Sequence, residues 1–188
     1  MFDHIIEIDK ALFIYLNGLG TETFDFFWLL ITNKLLNFIL YFILSVIYLK
    51  QEKWKQFGLL LFCLGIMILF TDQVTNIFKY MFARLRPCHN EDISNTIRLL
   101  KSNCGGLYGF FSAHASNSFA LAVFFSTLFF NKINKLPFLL LTFASLVSYS
   151  RIYIGVHYPF DVVSGAIFGI LSGYLFYILF ERYIKIKT

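Results

Sequence analysis

Five long apolar runs, separated by short polar segments, dominate the chain. They lie at residues 24–49, 57–80, 114–130, 136–150 and 160–180. Each is near the length that a helix needs to cross the hydrocarbon core of a bilayer, although the fourth run is short and Asn33 and Lys34 interrupt the first. The pattern predicts a bundle of about five transmembrane helices.

The N-terminal segment has a different pattern. Within residues 2–17 apolar side chains recur every three or four positions, and charged side chains occupy positions between them. The segment is too short and too charged to span, so we expect an amphipathic helix that lies in the membrane interface. The sequence LNGLGTET then predicts a turn. The predicted fold class is all-α, with the membrane helical bundle and this interfacial helix forming one domain over residues 1–188.

The composition agrees with a membrane protein. Hydrophobic residues make up 58% of the chain, only 14% of the residues are charged, and the mean hydropathy is +0.68. The net charge of +5 would suit nucleic-acid binding in a soluble protein. Here most basic residues lie beside apolar runs, where they set topology and meet lipid headgroups, so we expect no nucleic-acid partner.

Lysine and arginine in the short connections predict the orientation. We leave out Lys79, Arg86 and Arg151, which belong to a candidate site. The side opposite the N-terminus then receives eight basic residues: Lys50, Lys53, Lys55, Lys132, Lys135, Arg182, Lys185 and Lys187. The N-terminal side receives four: Lys10, Arg84, Arg98 and Lys101. The positive-inside rule therefore predicts a multi-pass membrane protein whose N-terminal side faces outward. In the inner membrane of a bacterium, that side faces the periplasm or the outer leaflet. The acidic start MFDHIIEIDK lacks the features of a cleaved signal peptide, so we expect the first span to direct membrane insertion.

Three polar clusters fall on that outward side. They are KYMFARLRP at residues 79–87, GFFSAHASNS at 109–118 and SRIYIGVHYPFD at 150–161. Charged groups next to hydrocarbon are costly, and three such clusters from distant parts of the chain meet the membrane at one surface. This arrangement indicates a functional site rather than scattered boundary charges.

The residue types in the clusters suit phosphate chemistry. Lys79, Arg86 and Arg151 supply cations that complement phosphate oxygens. Ser112 occupies a predicted helix N-cap, and the backbone N–H groups that follow it, from Ala113 onward, form an anion site.

Two histidines and one carboxylate complete the set. We expect His157 to attack phosphorus, with Asp161 orienting its imidazole. We expect His114 to protonate the leaving oxygen and then to activate water. No metal ion or other cofactor is expected, because the cations already supply positive charge and no acidic cluster suited to Mg²⁺ appears.

The clusters resemble the signatures of the type 2 phosphatidic acid phosphatase superfamily. KYMFARLRP resembles its first signature, and SRIYIGVHYPFD contains its complete third signature. The second signature is usually Pro-Ser-Gly-His, whereas this chain has Phe111, Ser112, Ala113 and His114. The replacement of glycine by Ala113 raises the question whether the backbone must adopt positive φ there. The resemblance covers roughly residues 25–180. It implies that Lys79, Arg86, Ser112 and Arg151 bind phosphate, and it implies the roles given above for His157, His114 and Asp161.

The resemblance implies a metal-independent membrane phosphatase that forms a phosphohistidine and removes a terminal phosphate from a lipid. Candidate substrates are undecaprenyl diphosphate, phosphatidic acid, phosphatidylglycerophosphate and the lipid A 1- or 4′-phosphate. The sequence does not choose among them, and it leaves the oligomeric state open. The loop at residues 88–110 is expected to cover the site. Two alternatives are a non-catalytic lipid-phosphate binding or transport protein and a vanadium haloperoxidase, although the apolar spans argue against the second.

The remaining polar residues carry weaker expectations. Asp72 and Asn76 share a helix face with Lys79, and Asn117 lies one turn into the third span, so all three are candidates to support the site. Arg84 is interpreted as an interface anchor, and His4 and His89 as surface residues.

The cysteines fall into two groups. Cys63 is expected to fill space within the second span. Cys88 and Cys104 share the outward loop, where an oxidising compartment would allow a disulfide, and two free thiols are the alternative.

Overall fold

The computed structural model describes residues 2–101 and 103–187, and the side chains of residues 2, 3 and 187 lie outside the described part. Seven α-helices occupy the described residues. They are α1 (Phe2–Gly18), α2 (Glu22–Ile31), α3 (Lys34–Leu49), α4 (Trp54–Phe82), α5 (Ala113–Leu128), α6 (Leu136–Tyr153) and α7 (Pro159–Lys187). A short 3₁₀ turn at Pro87–His89 lies in the long connection between α4 and α5.

The all-α membrane fold is confirmed. Among the described residues, α4, α6 and α7 are long and apolar enough to cross a bilayer, and α2 and α3 together form a fourth candidate. The third predicted span corresponds to α5, which has only 16 residues. A helix of that length rises about 24 Å, less than the thickness of a typical hydrocarbon core. Its buried side chains instead place α5 at the centre of the bundle.

Close packing of α5 against α7 positions the helix that carries His114 and the helix that carries Asp161, and α7 begins two residues after His157. Gly165, Gly169 and Gly173 recur every four residues on α7. A methyl group at any of them would overlap a backbone carbonyl of α5, at Ser112, Ser116 and Ala120 in turn. Small residues at this spacing let helix backbones approach closely in membranes. The approach brings the start of α5 to the start of α7, where the backbone N–H of Ser112 donates to the carbonyl of Asp161 at 2.9 Å.

The first predicted span is broken. α2 and α3 meet at a bend of 47°, at the position of Thr32 and Asn33. Asn33 caps α3, because its side-chain oxygen accepts a hydrogen bond from the backbone N–H of Leu35 at 2.8 Å. The polar interruption seen in the sequence is therefore a helix boundary.

The N-terminal helix α1 packs against the bundle. Phe13, Asp9 and Asn17 are buried on its inner face. The Asn17 amide donates to the backbone carbonyls of Ile152 and Tyr153 at the end of α6, at 3.1 and 2.9 Å. The helix predicted from the pattern is present. Part of its polar face contacts protein, because its buried polar side chains form hydrogen bonds with protein groups rather than with water.

Candidate active site

Four helix ends converge at one end of the bundle. The C-terminal ends of α4 and α6 meet the N-terminal ends of α5 and α7 around a cavity of about 760 Å³. Six of the predicted phosphate-binding and catalytic residues line this cavity: Lys79, Arg86, Ala113, His114, Arg151 and His157. Lys101 and Cys104 from the connecting loop also line it, so the loop contributes to the wall as expected.

His157 and Asp161 form a buried pair at the wall of the cavity. His157 Nδ1 lies 3.3 Å from Asp161 Oδ2, which also accepts a hydrogen bond from the backbone N–H of Tyr158 at 3.1 Å. A proton on Nδ1, donated to Asp161, leaves the lone pair of Nε2 free. Burial and the positive charges of Arg86 and Arg151 hold the pKa of His157 well below the ordinary histidine value. The imidazole is therefore neutral near pH 7, as a nucleophile must be.

Gly109 permits this pair to form beside the loop. A Cβ atom at this position would lie 2.9 Å from Asp161 Oδ2 and 3.6 Å from His157 Nδ1. The backbone N–H of Gly109 donates to the carbonyl of Arg84 at 2.8 Å, which holds the loop in place. A larger residue at 109 would displace the carboxylate from the imidazole.

Arg84 connects the pair to a further charged residue. Its interpretation as an interface anchor is therefore wrong. Its Nη1 donates to Asp161 Oδ1 at 2.9 Å, and its Nη2 donates to Asp9 Oδ2 at 2.6 Å. Its guanidinium carbon also lies 4.1 Å from the centroid of the Tyr158 ring. Arg84 thus forms a hydrogen bond with one oxygen of Asp161, and His157 lies within hydrogen-bond distance of the other.

Asp9 of α1 is the last charged residue in this series of contacts. Its second oxygen accepts a hydrogen bond from the backbone N–H of Phe160 at 2.9 Å, at the start of α7. Burial raises the pKa of Asp9, although the hydrogen bonds from Arg84 and Phe160 act in the opposite direction. The sequence pattern placed Asp9 on a polar face, and only the docking of α1 brings it close to the pair formed by His157 and Asp161.

The loop positions Arg86. Its Nε donates to the carbonyl of Tyr108 at 3.2 Å and its Nη1 to the carbonyl of Cys104 at 3.3 Å. The backbone N–H of Arg86 donates to the carbonyl of Leu107 at 3.1 Å. The guanidinium is therefore oriented by backbone groups of residues 104–108, and it keeps N–H groups available to a ligand.

Arg151 reaches the cavity from the end of α6. Its Nη1 donates to the hydroxyl of Thr32 at 2.7 Å, at the break between α2 and α3. Its Nε is buried and has no hydrogen-bond partner among the described residues. A buried guanidinium N–H without a partner is unfavourable, so the group is suited to an anion that enters the cavity.

The start of α5 supplies His114 but not the hydroxyl of Ser112. Ser112 is fully buried, and its oxygen faces the backbone N–H of Ala115 at 3.5 Å in its own first turn. Ser112 therefore caps the helix and does not line the cavity. Ala113 begins the helix with an ordinary backbone conformation, because Ala83 is the only non-glycine residue with positive φ in the described chain. Alanine at 113 thus carries no backbone strain.

The supporting residues on α4 and α5 divide into two groups. Asp72 accepts a hydrogen bond from the Asn117 side chain at 2.8 Å, and Asn117 also lies within hydrogen-bond distance of the Thr71 hydroxyl. Both Asp72 and Asn117 line the same cavity as Lys79. Asn76 is exposed on the outer face of α4 and lines no part of the cavity.

The cavity continues from the polar end into an apolar arm. The arm lies between α3, α4 and α5, and its walls include Phe38, Phe42, Leu61, Ile68 and Leu121. Phe38, Phe42 and Leu61 are exposed on the outside of the bundle. The cavity therefore connects the cationic site with the apolar outer surface of the bundle, which faces the membrane.

One group in the described chain has the geometry of a metal site. The side chains of Cys88, His89 and Cys104 each offer a ligand atom, and these atoms lie within 4.8 Å of one another. The two cysteines are joined in a disulfide with a Cα–Cα distance of 6.4 Å. A disulfide provides no thiolate ligands, so this group does not suit zinc in the oxidised protein. Cys63 is partly buried within α4, in agreement with a filling role.

The disulfide supports Arg86, which predicts an effect of its removal. The Cys88→Ser/Cys104→Ser variant should have a lower melting temperature and a several-fold lower kcat/KM for phosphate release. The bond closes a loop of 16 residues, for which the chain-entropy model gives about 3 kcal/mol. The same bond holds the Cys104 carbonyl that orients Arg86.

Thermal unfolding and steady-state kinetics, with Cys63→Ser as the control, measure both effects. Free labelling of Cys88 and Cys104 by a thiol reagent in the absence of reductant would contradict the disulfide.

Three residues that hold Asp161 and Arg151 in place were not predicted to do so: Asp9, Thr32 and Arg84. Arg84 had a signal, because a second arginine two residues before Arg86 lies at the same helix end. The four-residue spacing of glycines on α7 was also readable as a helix-packing face. Asp9 and Thr32 had no local signal, since their role depends on contacts more than 70 residues away in sequence.

Comparisons with known proteins indicate one superfamily. The sequence profile of the PAP2 superfamily matches residues 58–185. A lipid A 4′-phosphatase of Bacteroides thetaiotaomicron is 35% identical over 184 residues, which cover 97% of this chain and 81% of that protein. A lipid A 4′-phosphatase of Porphyromonas gingivalis is 35% identical over 178 residues, covering 93% of this chain and 74% of that protein. The crystal structure of a PAP2-type phosphatidylglycerolphosphate phosphatase from Bacillus subtilis aligns with a TM-score of 0.76 at 18% identity, covering 95% of this chain and 87% of that one.

Proposed function

Because this chain belongs to the PAP2 superfamily of phosphatases, we propose that it removes phosphate from a membrane lipid through a phosphohistidine formed on His157, without a metal ion. One observation carries the proposal. A buried imidazole, backed by Asp161, lines a cavity that Lys79, Arg86 and Arg151 also line. A nucleophile and three cations at one cavity, with an orienting carboxylate next to the nucleophile, are the parts that phosphoryl transfer requires.

In the first step, His157 Nε2 attacks phosphorus and the bond to the leaving oxygen breaks. Protonated His114 gives its proton to that oxygen, so the lipid leaves as an alcohol or as a shorter phosphate. Asp161 stabilises the positive charge that develops on His157. Lys79, Arg86 and Arg151 stabilise the negative charge on the equatorial phosphoryl oxygens. The phosphate itself favours the protonated form of His114, because an anion nearby stabilises imidazolium.

In the second step, water attacks the phosphohistidine. His114, now neutral, accepts a proton from the water as its oxygen bonds to phosphorus and the nitrogen–phosphorus bond breaks. Inorganic phosphate leaves, and His157 returns to its neutral form. The cycle consumes one water and releases one phosphate.

We propose the 4′-phosphate of lipid A as the first substrate to test. Two relatives that are 35% identical over nearly the whole chain carry that activity in their names. The apolar arm of the cavity supports a lipid over a soluble phosphate ester, because it offers acyl chains a surface next to the cationic site.

A panel of lipids tests this proposal directly. We expect purified protein in detergent to release phosphate from lipid A 4′-phosphate faster than from phosphatidic acid, phosphatidylglycerophosphate, undecaprenyl diphosphate or lipid A 1-phosphate. Release from none of the five would contradict the enzymatic function and favour a binding protein. A different rank order would leave the reaction standing and replace the substrate.

Chelation tests the metal-free mechanism. We expect EDTA to leave the rate of phosphate release unchanged within about twofold, because the phosphate-binding groups in the cavity are side-chain cations. The measurement compares initial rates before and after dialysis against EDTA, with added Mg²⁺ or Zn²⁺ as a further arm. A loss of activity on chelation that Mg²⁺ restores would contradict the mechanism.

We also propose that the site faces outward from the cytoplasmic membrane. The basic residues of the short connections favour the opposite side as cytoplasmic. The disulfide at the site end of the bundle suits an oxidising compartment. A membrane-impermeant reagent applied to intact cells should label an Asn103→Cys variant, whose position lines the cavity, and should not label a Lys55→Cys variant.

A further inference from the structure

Two lysines that belong to none of the three signatures also line the cavity. Lys34 is the first residue of α3, directly after the break at Thr32 and Asn33. Lys101 lies in the loop between α4 and α5. They come from separate parts of the chain, and Thr32, two residues before Lys34, accepts a hydrogen bond from Arg151. The helix break therefore brings Lys34 toward the phosphate-binding arginine.

The charge of the cavity exceeds what one phosphate requires. Among the described residues, five cationic side chains line it: Lys34, Lys79, Arg86, Lys101 and Arg151. Asp72 is the single carboxylate in the described part of the lining, and it accepts a hydrogen bond from Asn117. Asp161 lies behind the lining, where Arg84 pairs with it. A phosphate dianion would neutralise only part of this excess.

Lys34 and Lys101 have no acidic partner in the described part of the chain, since neither ammonium group forms an ion pair or a hydrogen bond with residues 2–101 or 103–187. Burial and the positive charges of Arg151 and Lys34 lower the pKa of Lys101. Lys101 therefore faces two like charges, an arrangement that is unfavourable until an anion enters.

The two lysines lie near the group that serves the leaving oxygen. Both are within electrostatic range of His114, which protonates that oxygen in the proposed reaction. The cations whose charges act on His157 are Arg86, Arg151 and Lys79, and neither Lys34 nor Lys101 is among them. The excess positive charge is therefore on the leaving-group side of the scissile bond.

We propose that Lys34 and Lys101 form a second anion subsite, which binds a further anionic group on the leaving-group side of the lipid phosphate that His157 attacks. This inference rests on the proposed function, because it assigns a leaving-group side to the cavity. It narrows the substrate class to lipids that carry two neighbouring anionic groups. A lysine ammonium binds phosphate or carboxylate oxygens as a point charge, so either chemistry fits.

Two lipid sources offer such a group. In a polyprenyl diphosphate, the second phosphate is the leaving group itself. In a lipid A 4′-phosphate, an acidic sugar attached to the same glucosamine would carry a carboxylate near the leaving oxygen. Two matched lipid pairs separate these sources: a polyprenyl monophosphate with its diphosphate, and a lipid A 4′-phosphate without and with the attached acidic sugar.

Binding to a protein that cannot turn over tests the subsite without requiring activity. In the His157→Gln background, each of the four lipids is titrated in detergent and its Kd is measured. We expect the lipid with the second anionic group to bind about tenfold more tightly than its partner in at least one pair. We expect Lys34→Gln/Lys101→Gln to abolish that preference and Lys34→Arg/Lys101→Arg to retain it. Lys55→Gln, an exposed lysine at the other end of α4, is the matched control.

The outcomes are decisive in each direction. The pair that shows the lysine-dependent preference identifies the source of the second anionic group. Equal binding within both pairs, or a preference that survives removal of both lysines in protein with an unchanged melting temperature, would overturn the subsite. Failure of the proposed function has a different signature, because wild-type protein would then release no phosphate from any of these lipids.

Discussion

The His157→Gln variant should release phosphate from its lipid substrate at least about a thousandfold more slowly than the wild type. The reason is chemical, since glutamine cannot form a phosphoryl intermediate that water then hydrolyses. The loss should appear in kcat, with a small change in KM, because Lys79, Arg86 and Arg151 remain to bind the phosphate.

This variant has a matched control and a direct test of the intermediate. His4→Gln changes an exposed histidine of α1 and should leave the rate unchanged. Acid-labile radioactive phosphate should be trapped on the wild-type chain when turnover of labelled lipid is quenched in alkali, and it should be missing from His157→Gln. A folded His157→Gln protein that released phosphate at the wild-type rate would exclude the phosphohistidine mechanism. A different nucleophile would then attack the phosphate that the cations bind.

The Asp161→Asn variant should reduce kcat by roughly 10²–10⁴-fold, the range expected when the carboxylate that orients a catalytic imidazole is removed. Asparagine can present its amide N–H to His157 Nδ1, which favours the tautomer that carries the proton on Nε2. The nucleophilic lone pair would then face away from phosphorus. The same change removes the negative charge that stabilises the developing imidazolium.

Stability has to be separated from catalysis in this variant. Asp161 is fully buried and pairs with Arg84, so its neutralisation leaves the guanidinium with Asp9 alone. Removing one partner of a buried ion pair is destabilising. Asp9→Asn is the matched comparison, because it removes the other carboxylate of Arg84 and leaves the bond between His157 and Asp161 in place.

We expect Asp9→Asn to lower the melting temperature as Asp161→Asn does, but to reduce kcat by less than about tenfold. Thermal unfolding and kcat, measured for both variants in the same detergent, separate the two roles. An equal loss of kcat in the two variants would show that Asp161 acts through the fold rather than on the imidazole.

The altered second signature shows which features of the site the local sequence could predict. Ser112 and His114 retain the chemical groups of the family pattern, and the structure answers the question raised by Ala113, since α5 begins there without positive φ. The phosphate contact of Ser112 stays a prediction. In the structure Ser112 is buried, and its hydroxyl oxygen faces the backbone N–H of Ala115 in its own helix.

The sequence by itself determined the helical membrane fold and the identity of the chemical groups. Long apolar runs require helices in a bilayer, because every backbone N–H and C=O must be satisfied within the chain. The spacing within KYMFARLRP, GFFSAH and SRIYIGVHYPFD specified cations, histidines and a carboxylate at helix ends. These features depend on residues within one or two helical turns, so they can be read from a linear pattern.

Only the tertiary structure decided which groups meet. The docking of α1 brings Asp9 to Arg84, and the bend before α3 brings Thr32 to Arg151 and Lys34 to the cavity. No local pattern marks these residues, because Asp9 looks like any charge on an amphipathic helix and Lys34 like any interruption of a span. Their energies depend on partners that lie far away in sequence and on burial that follows from helix packing. The packing of the helices, rather than the spacing of the residues, therefore determines the charge network behind His157 and the excess of positive charge in front of it.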